Sequence, residues 1–414
     1  MSCSDYDGIK NCSLPGSLPT GVGGEPFFTN LESSENDDPA LPSMPSDDHY
    51  LDRSGSPIHP EEGRETMLQA IDLFASAGGL TLGFKQAGVK TVCAVEIDPI
   101  RVQTFGLHSP DAEIENEDVQ KVDLSRYKGR VELVYGGPPC QPFSSGGLRK
   151  ANSDERNMVP SFIDTVRKVK PAAFLMENVA GLAVGGRRDY LRSVLDEFES
   201  LGYRLTWRVV NAAEHGIPQK RRRLIAVGMR GKTFQFPEET HGPGRLHPFV
   251  AVRDVLPTHQ IGEPNRSKVF FAKNPDLRPN PYNGHVYNGG GRPIDRGRPC
   301  HTILASAGGN KTHFFDDLNL VPEYHRHLLA GNSPKSGELP GARRLTVLES
   351  KIIQTFPEDM VFCGPRSAQY KQVGDAVPPV LAFILARAII AQLGEEHVED
   401  PLFILPLKQK RFWT

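Results

Sequence analysis

Between residues 67 and 229 the apolar residues fall into short continuous runs, and the stretches separating them carry apolar residues at helical spacing. Runs of that length bounded by Gly, Pro and Asp are strands buried on both faces, and the stretches between them are helices laid on a sheet. Strands are expected at residues 69–74, 91–96, 131–135 and 172–176, and helices at 81–87, 99–105, 160–168 and 190–201. Gly88 closes the first helix and Pro99 opens the second, each where its backbone preference suits a helix end. Strands at 204–210 and 223–228 complete the series. The alternation predicts an α/β fold with a doubly wound, mostly parallel sheet. After about Met229 the rhythm stops. Residues 233–340 are rich in Pro, Gly, His and Asn and show only short strand patterns, as in a second, smaller and irregular domain. Regular structure resumes near Arg343. Residues 377–393 form an apolar helix opened by Pro378-Pro379, expected to pack back on the first sheet.

Net charge changes the picture at the N-terminus. Residues 1–66 hold thirteen acidic and three basic side chains, roughly −10, so the formal total of −2 leaves about +8 on residues 67–414. The first 66 residues, rich in Ser, Pro, Gly, Asp and Glu, are expected to be a disordered acidic tail. The basic remainder points to a polyanionic partner. The chain then divides into 1–66, a catalytic and cofactor-binding domain at 67–232, the irregular domain at 233–340, a returning segment at 341–395 and a tail at 396–414. No secretory signal or membrane span is expected. The cysteines at 3, 12, 93, 140, 300 and 363 are scattered without a Cys-x-x-Cys pair, which argues against a metal site and against a disulfide scaffold. A cytoplasmic monomer fits.

Candidate chemistry gathers at the ends of the expected strands. The first strand runs into Phe74-Ala75-Ser76-Ala77-Gly78-Gly79, a turn of small residues that lets a ligand approach the backbone. Glu96 ends the second strand, where an acid binds ribose hydroxyls in this fold class. Asp118 follows the third, placed to accept from an adenine amino group, and Phe74 can stack on the base. The Gly-x-Gly-x-x-Gly fingerprint is absent, so S-adenosylmethionine fits better than a dinucleotide. Residues 131–135 lead into Gly136-Gly137-Pro138-Pro139-Cys140-Gln141, a stiff turn presenting one thiol as a nucleophile. Glu177, in Glu177-Asn178-Val179, ends another core strand. Gln219-Lys220-Arg221-Arg222-Arg223 places Arg221 and Arg223 in alternation, expected on one strand face, where cations near Cys140 would favour its thiolate.

Taken in order, Asp72–Gly79, Glu96, Asp118, Pro138-Pro139-Cys140-Gln141, Glu177-Asn178-Val179, Gln219-x-Arg221-x-Arg223 and Gly374-Asp375-Ala376-Val377-Pro378-Pro379 closely resemble the DNA (cytosine-5) methyltransferases over residues 67–390. The resemblance implies a sheet of the S-adenosylmethionine-dependent methyltransferase type, with residues 233–340 as the target-recognition domain. It implies that Cys140, Glu177, Arg221 and Arg223 are catalytic. The cofactor residues would be Phe74, Ala77, Gly78, Gly79, Glu96, Ile97, Asp118, Val119, Pro138, Asp375 and Ala376. Duplex DNA would meet Gln141, Ser144, Gly146, Arg156 and Gln219, with residues 144–157 closing as a loop over a flipped base. Arg292, Arg296 and Arg298 suit phosphate and base-edge contacts in the recognition region. The compact plan resembles prokaryotic modification enzymes, for which a cognate restriction endonuclease is a possible companion.

Three positions depart from the family pattern. Ser76 stands where Gly is usual, Asp375 where Asn is usual and Leu348 where Arg is common. The first two put cofactor contacts in question, and the third the anchoring of the recognition domain. Two alternatives stay open at this stage: a cytosine-5 methyltransferase acting on tRNA, and a catalytically inactive DNA-binding scaffold. Absence of the tRNA branch's Cys-Phe-Thr signature favours DNA, and retention of Cys140, Glu177 and Arg221 favours an enzyme.

Overall fold

The computed structural model describes residues 67–139, 157–288, 291–305 and 309–394. The expectations for residues 1–66 and for Cys140, Gln141, Ser144, Gly146 and Arg156 lie outside the described residues.

The elements follow the expected order. They run β1 (Gln69–Leu73), α1 (Gly79–Gln86), β2 (Lys90–Val95), α2 (Pro99–His108), β3 (Glu113–Glu115), β4 (Leu133–Gly136), α3 (Val159–Val169), β5 (Ala173–Val179), α4 (Arg188–Ser200), β6 (Tyr203–Asn211), β7 (Gln219–Lys220) and β8 (Arg222–Arg230). Local chemistry sets several boundaries. Asp98 caps α2 by accepting from the Ile100 and Arg101 amides at 2.9 and 3.4 Å, with Pro99 at the first helical position. Gly78 enters α1 at φ +84°, a left-handed conformation that favours glycine.

Seven strands form one sheet in the order β3-β2-β1-β4-β5-β8-β6. Strands β1 to β5 pair in parallel, while β8 runs antiparallel to both β5 and β6. The reversal has a consequence for the site. The start of β8 lies beside the end of β5, with Arg223 paired to Val179 in register. A parallel strand would have placed its arginines at the opposite edge.

Side chains alternate between two cores, one on each face of the sheet. Ala70, Leu133, Tyr135 and Ile225 face α1 and the C-terminal helix. Ile71, Val134, Phe174 and Met176 face α3 and α4, where the Phe174 and Phe198 rings stack at 4.2 Å.

Beyond the sheet come α5 (Val252–Val255), β9 (Phe271–Asp276), β10 (His285–Tyr287), β11 (Cys300–His301), β12 (Phe314–Asp316), α6 (Val321–Leu329), β13 (Ala342–Arg344), α7 (Val347–Ile353), α8 (Arg366–Asp375) and α9 (Pro379–Leu393). A small core of Val269, Val286, Phe314, Val321, Tyr324 and Leu339 holds the irregular region together. Two-stranded pieces serve it: β9 with β10, β12 with β13, and β11 alongside β7. Arg344, fully buried, donates to the carbonyls of Thr312 (2.7 Å) and Lys268 (3.3 Å) and to Asn288 Oδ1 (3.2 Å), tying β13 to that region. Leu348 packs apolar against Gly262, and Arg343 pairs with Glu349 at 2.9 Å, so charged anchoring falls on positions 343 and 344.

Residues Arg366–Leu393 are long and apolar enough, by composition, to cross a membrane. They are two helices separated at Ala376–Pro378, and α9 is a core helix packed on α1. A methyl group at Gly83 of α1 would overlap Pro379 O, Ala382 and the Phe383 amide, so small residues bring the two helix backbones together.

Candidate active site

Strands β1, β2, β4 and β5 all end at one edge of the sheet, the edge where open α/β folds bind ligands. At the end of β1 three of five residues are left-handed: Phe74 at φ +59°, Ser76 at +52° and Gly78 at +84°. Non-glycine residues hold this conformation only where their surroundings enforce it. Glu96 supplies much of that enforcement. One carboxylate oxygen accepts from the Ser76 amide at 2.8 Å and the other from the Asp98 amide at 2.9 Å. Asn116, which sequence reasoning missed, donates to the carbonyls of Glu96 and Ile97 at 3.0 Å each. Ile97 is 65 % exposed beside this buried acid. Asp118 caps the short turn at Val119–Lys121 through the Gln120 amide at 3.0 Å, and Val119 is buried. Ala77, Gly78 and Gly79 are buried, and a methyl group at Gly79 would overlap Val377 O, so the turn also seats the start of α9.

The second half of the site surrounds the turn after β4. A methyl group at Gly136 would overlap Leu73 O, and one at Gly137 would stand 3.0 Å from Glu177 Oε2. Glycine at 136 is therefore needed for β4 to lie close against β1, while a side chain at 137 would press on the Glu177 carboxyl. The Asn178 amide nitrogen donates to Pro138 O at 3.1 Å, and the Met158 backbone donates to Pro139 O at 3.0 Å. The backbone is thus clamped on both prolines up to the residue before Cys140. Glu177 is 12 % and Arg223 15 % exposed, and Arg223 Nε donates to Glu177 Oε1 at 2.8 Å. This ion pair fixes the orientation of the Glu177 carboxyl.

Arg221 and Arg223 do not share a strand face. The ladder is interrupted at Arg221, between β7 and β8, and this residue turns into the interior with 1 % exposure. Its Nη1 donates to Ile303 O at 3.1 Å, and its Nη2 to Gly374 O at 3.0 Å and Asp375 O at 3.3 Å. Burial pushes this guanidinium down, and the charge of Arg223 adds to the effect, while Glu177 and Asp375 oppose it. Arg221 accordingly ties the irregular region and the last helix pair to this edge of the sheet. Gln219, expected to meet DNA, is placed in the interior in this structure. It is fully buried, accepts from the Ile303 amide at 2.9 Å and donates to Gln354 Oε1. Gln354 in turn donates to Val373 O at 2.9 Å and Ala376 O at 2.7 Å. No sequence signal marks Gln354, because its role depends on residues 135 positions away.

Beneath the turn after β1 lies a buried polar cluster. Thr81 Oγ1 donates to Asp72 Oδ2 at 2.7 Å, and the Tyr135 hydroxyl lies 3.1 Å from Thr81 Oγ1 and 2.6 Å from Thr91 Oγ1. Asp72 Oδ1 has no partner among the described residues. Burial raises the Asp72 carboxyl to about 8, Glu96 adds to the rise, and the Thr81 hydrogen bond opposes it. The native state therefore keeps a proton that the unfolded chain releases near the ordinary value of 3.8. This contribution is fully present below about pH 4 and is lost as pH rises through about 8, on the order of a few kcal/mol. Asp72→Asn is expected to flatten the stability profile between these limits, measured as urea midpoints across the range. An unchanged slope would show Asp72 to be ionised in the fold.

Comparison with known proteins agrees with this geometry. A family model for C-5 cytosine-specific DNA methylases matches residues 68–391. The type II methyltransferase M1.HphI of Haemophilus parahaemolyticus is 33 % identical over 339 residues, 78 % of this chain and 87 % of that protein. M.AplI of Arthrospira platensis is 30 % identical over 354 residues, covering 84 % and 92 %. Among solved structures, S. pombe Dnmt2 aligns with TM-score 0.56 at 17 % identity, covering 78 % of this chain and 99 % of that one. The Entamoeba histolytica methyltransferase EhMeth aligns at 0.58 and 13 % identity, covering 80 % and 100 %. At those identities the two structures speak for the fold alone. Fold and edge together define an α/β methyltransferase. The chain belongs to the C-5 cytosine-specific DNA methylase family, and its activity is that of a DNA (cytosine-5-)-methyltransferase.

Proposed function

We propose that the protein methylates C5 of a cytosine flipped out of a specific duplex DNA sequence, through a covalent Cys140–C6 adduct and with S-adenosylmethionine as methyl donor. The observation that carries this reading is the placement of Glu177, held by Arg223, against the clamped turn that leads directly to Cys140. The left-handed turn at Phe74–Gly78 and the acid Glu96 behind it fit a nucleoside-bearing cofactor without a pyrophosphate. Phe74, Ala77, Gly78, Gly79, Glu96, Ile97, Asp118, Val119, Pro138, Asp375 and Ala376 would hold it. When bound, the sulfonium supplies an electrophilic methyl group.

Cytosine C5 is a weak nucleophile until the ring is activated. The Cys140 thiolate forms an S–C6 bond, and the displaced π electrons pass into the ring. As electron density builds on N3, a proton passes to it from the Glu177 carboxyl, which also accepts from the 4-amino group, so the ring gains no net charge. C5 then acts as the nucleophile of an enamine and takes the methyl group. Loss of the C5 proton to a base restores the double bond, the S–C6 bond breaks, the thiolate returns and N3 gives its proton back to Glu177. Arg223 keeps Glu177 oriented throughout. The reacting atoms are unreachable within a stacked duplex, so the base must leave the helix. Gln141, Ser144, Gly146 and Arg156 would face the DNA around it. Kinship with type II methyltransferases extends the proposal to a cytoplasmic modification enzyme with a companion endonuclease.

Purified full-length protein with labelled S-adenosylmethionine should label duplex DNA and neither tRNA nor a buffer control. A duplex carrying 5-fluorocytosine at the target should trap a covalent complex, because fluorine cannot leave as the proton does. Label in tRNA alone would overturn the reading.

A further inference from the structure

Arg101 and Asp375 are 274 residues apart in sequence and form an ion pair across the carboxyl edge of the sheet. Their side chains are 16 % and 28 % exposed. Each lies beside one of the two groups of residues proposed to hold the cofactor. Arg101 lies in the first turn of α2, with its Nε 3.7 Å from the Asp98 carboxylate that caps the helix. The Asp98 amide donates to Glu96, and Glu96 holds the Ser76 amide, so Arg101 stands beside the group that orients the turn after β1. Asp375 ends α8 and immediately precedes Ala376 in the other group. The backbone there is held from the inside: Arg221 takes the carbonyls of Gly374 and Asp375, and Gln354 takes those of Val373 and Ala376. On its outer side, the described charged contact reaching α2 is Arg101.

We propose that the Arg101–Asp375 ion pair is a clasp that fixes the spacing of these two groups and thereby sets the affinity for S-adenosylmethionine. Arg101 is a positioning residue that acts through Glu96, while Asp375 acts through its own backbone and that of Ala376. The inference rests on the S-adenosylmethionine reading of this site. A neutral amide at 375 hydrogen-bonds a guanidinium but carries no charge to hold it, and a glutamine at 101 fails from the other side. The clasp is also partly exposed, so its strength falls with ionic strength.

The test is calorimetric titration of the full chain with S-adenosylhomocysteine, which binds without reacting. Arg101→Gln and Asp375→Asn are each expected to weaken binding about five- to tenfold. The double variant should lose no more than either single one, the mark of a shared interaction. Arg101→Lys should recover part of the loss, and the reversed pair of Arg101→Glu with Asp375→Lys should recover more than either reversal alone. Raising salt should weaken wild-type binding toward the variants and leave the variants nearly unmoved. A merely structural role for the pair would lower the melting temperature without this salt pattern or rescue. Unchanged binding in both neutral variants would remove the clasp, as would tighter binding in Asp375→Asn, since Asp375 would then be repelling the ligand. Wild-type protein that binds no S-adenosylhomocysteine would remove the cofactor reading itself, and the clasp with it.

Discussion

Replacing Cys140 by serine is expected to lower methyl transfer to duplex DNA to below about one part in a thousand of wild type. A serine hydroxyl is far less ionised and less nucleophilic at neutral pH than a thiol, so attack at C6 fails and C5 is never activated. Binding of the target duplex should survive, because the turn leading to position 140 is clamped by Asn178 on Pro138 and by Met158 on Pro139, neither of which involves the thiol. Glu177→Gln belongs to the same prediction. It is expected to lower kcat about 10²- to 10³-fold while leaving the fold intact. The amide is isosteric but cannot give a proton to N3, and Arg223 loses the carboxyl group it meets at 2.8 Å. Single-turnover kinetics with a labelled cofactor measures both. If Cys140→Ser kept more than a tenth of wild-type turnover, the covalent route would be abandoned.

Arg221→Met is expected to destabilise the protein by about 3–5 kcal/mol and to abolish activity through the fold rather than the chemistry. Three carbonyls, those of Ile303, Gly374 and Asp375, depend on this one guanidinium in a place closed to solvent. Methionine fills similar volume and satisfies none of them. Arg221→Lys should fall between the two, because one ammonium can reach some but not all of three acceptors set by a fork. Urea unfolding followed by circular dichroism reads the difference. A wild-type midpoint in Arg221→Met would mean that these hydrogen bonds contribute nothing net, and Arg221 would return to the list of candidates for direct contact with substrate.

Much of the α/β body was legible because period and burial are local properties. The runs around 69–74, 91–96 and 172–176 became β1, β2 and β5 with ends shifted by a few residues at most. The helix expected at 377–393 became α9, starting at Pro379 once Pro378 is left outside. The short strands of the irregular region were not legible. β11 is two residues long and exists because Cys300 and His301 meet Gln219 and Lys220 in register. No pattern of two residues announces a partner eighty positions away.

The site divides along the same line. Gly78, Gly137, Glu96 and Glu177 could be picked out because each lies at or just past the end of a strand, on the edge the fold class uses for ligands. Gln219 and Arg221 were recognised from their motif, but the internal contacts they make in the fold were not legible. A motif shows that a residue type is required, whereas burial decides whether the side chain faces substrate or the interior. Asn116, Gln354 and Arg101 carry no motif and emerged only from their partners.

By itself the sequence determined the order of strands and helices, the stiff glycine and proline turns, and the set of reactive groups, because each follows from spacing along a short stretch of chain. The direction of β8, the pairing of Glu177 with Arg223, the inward turn of Arg221 and the meeting of Arg101 with Asp375 were decided by the tertiary structure alone. These depend on which distant segments lie within a few ångströms of one another, and hydrogen bonds and ion pairs are specific only at that range.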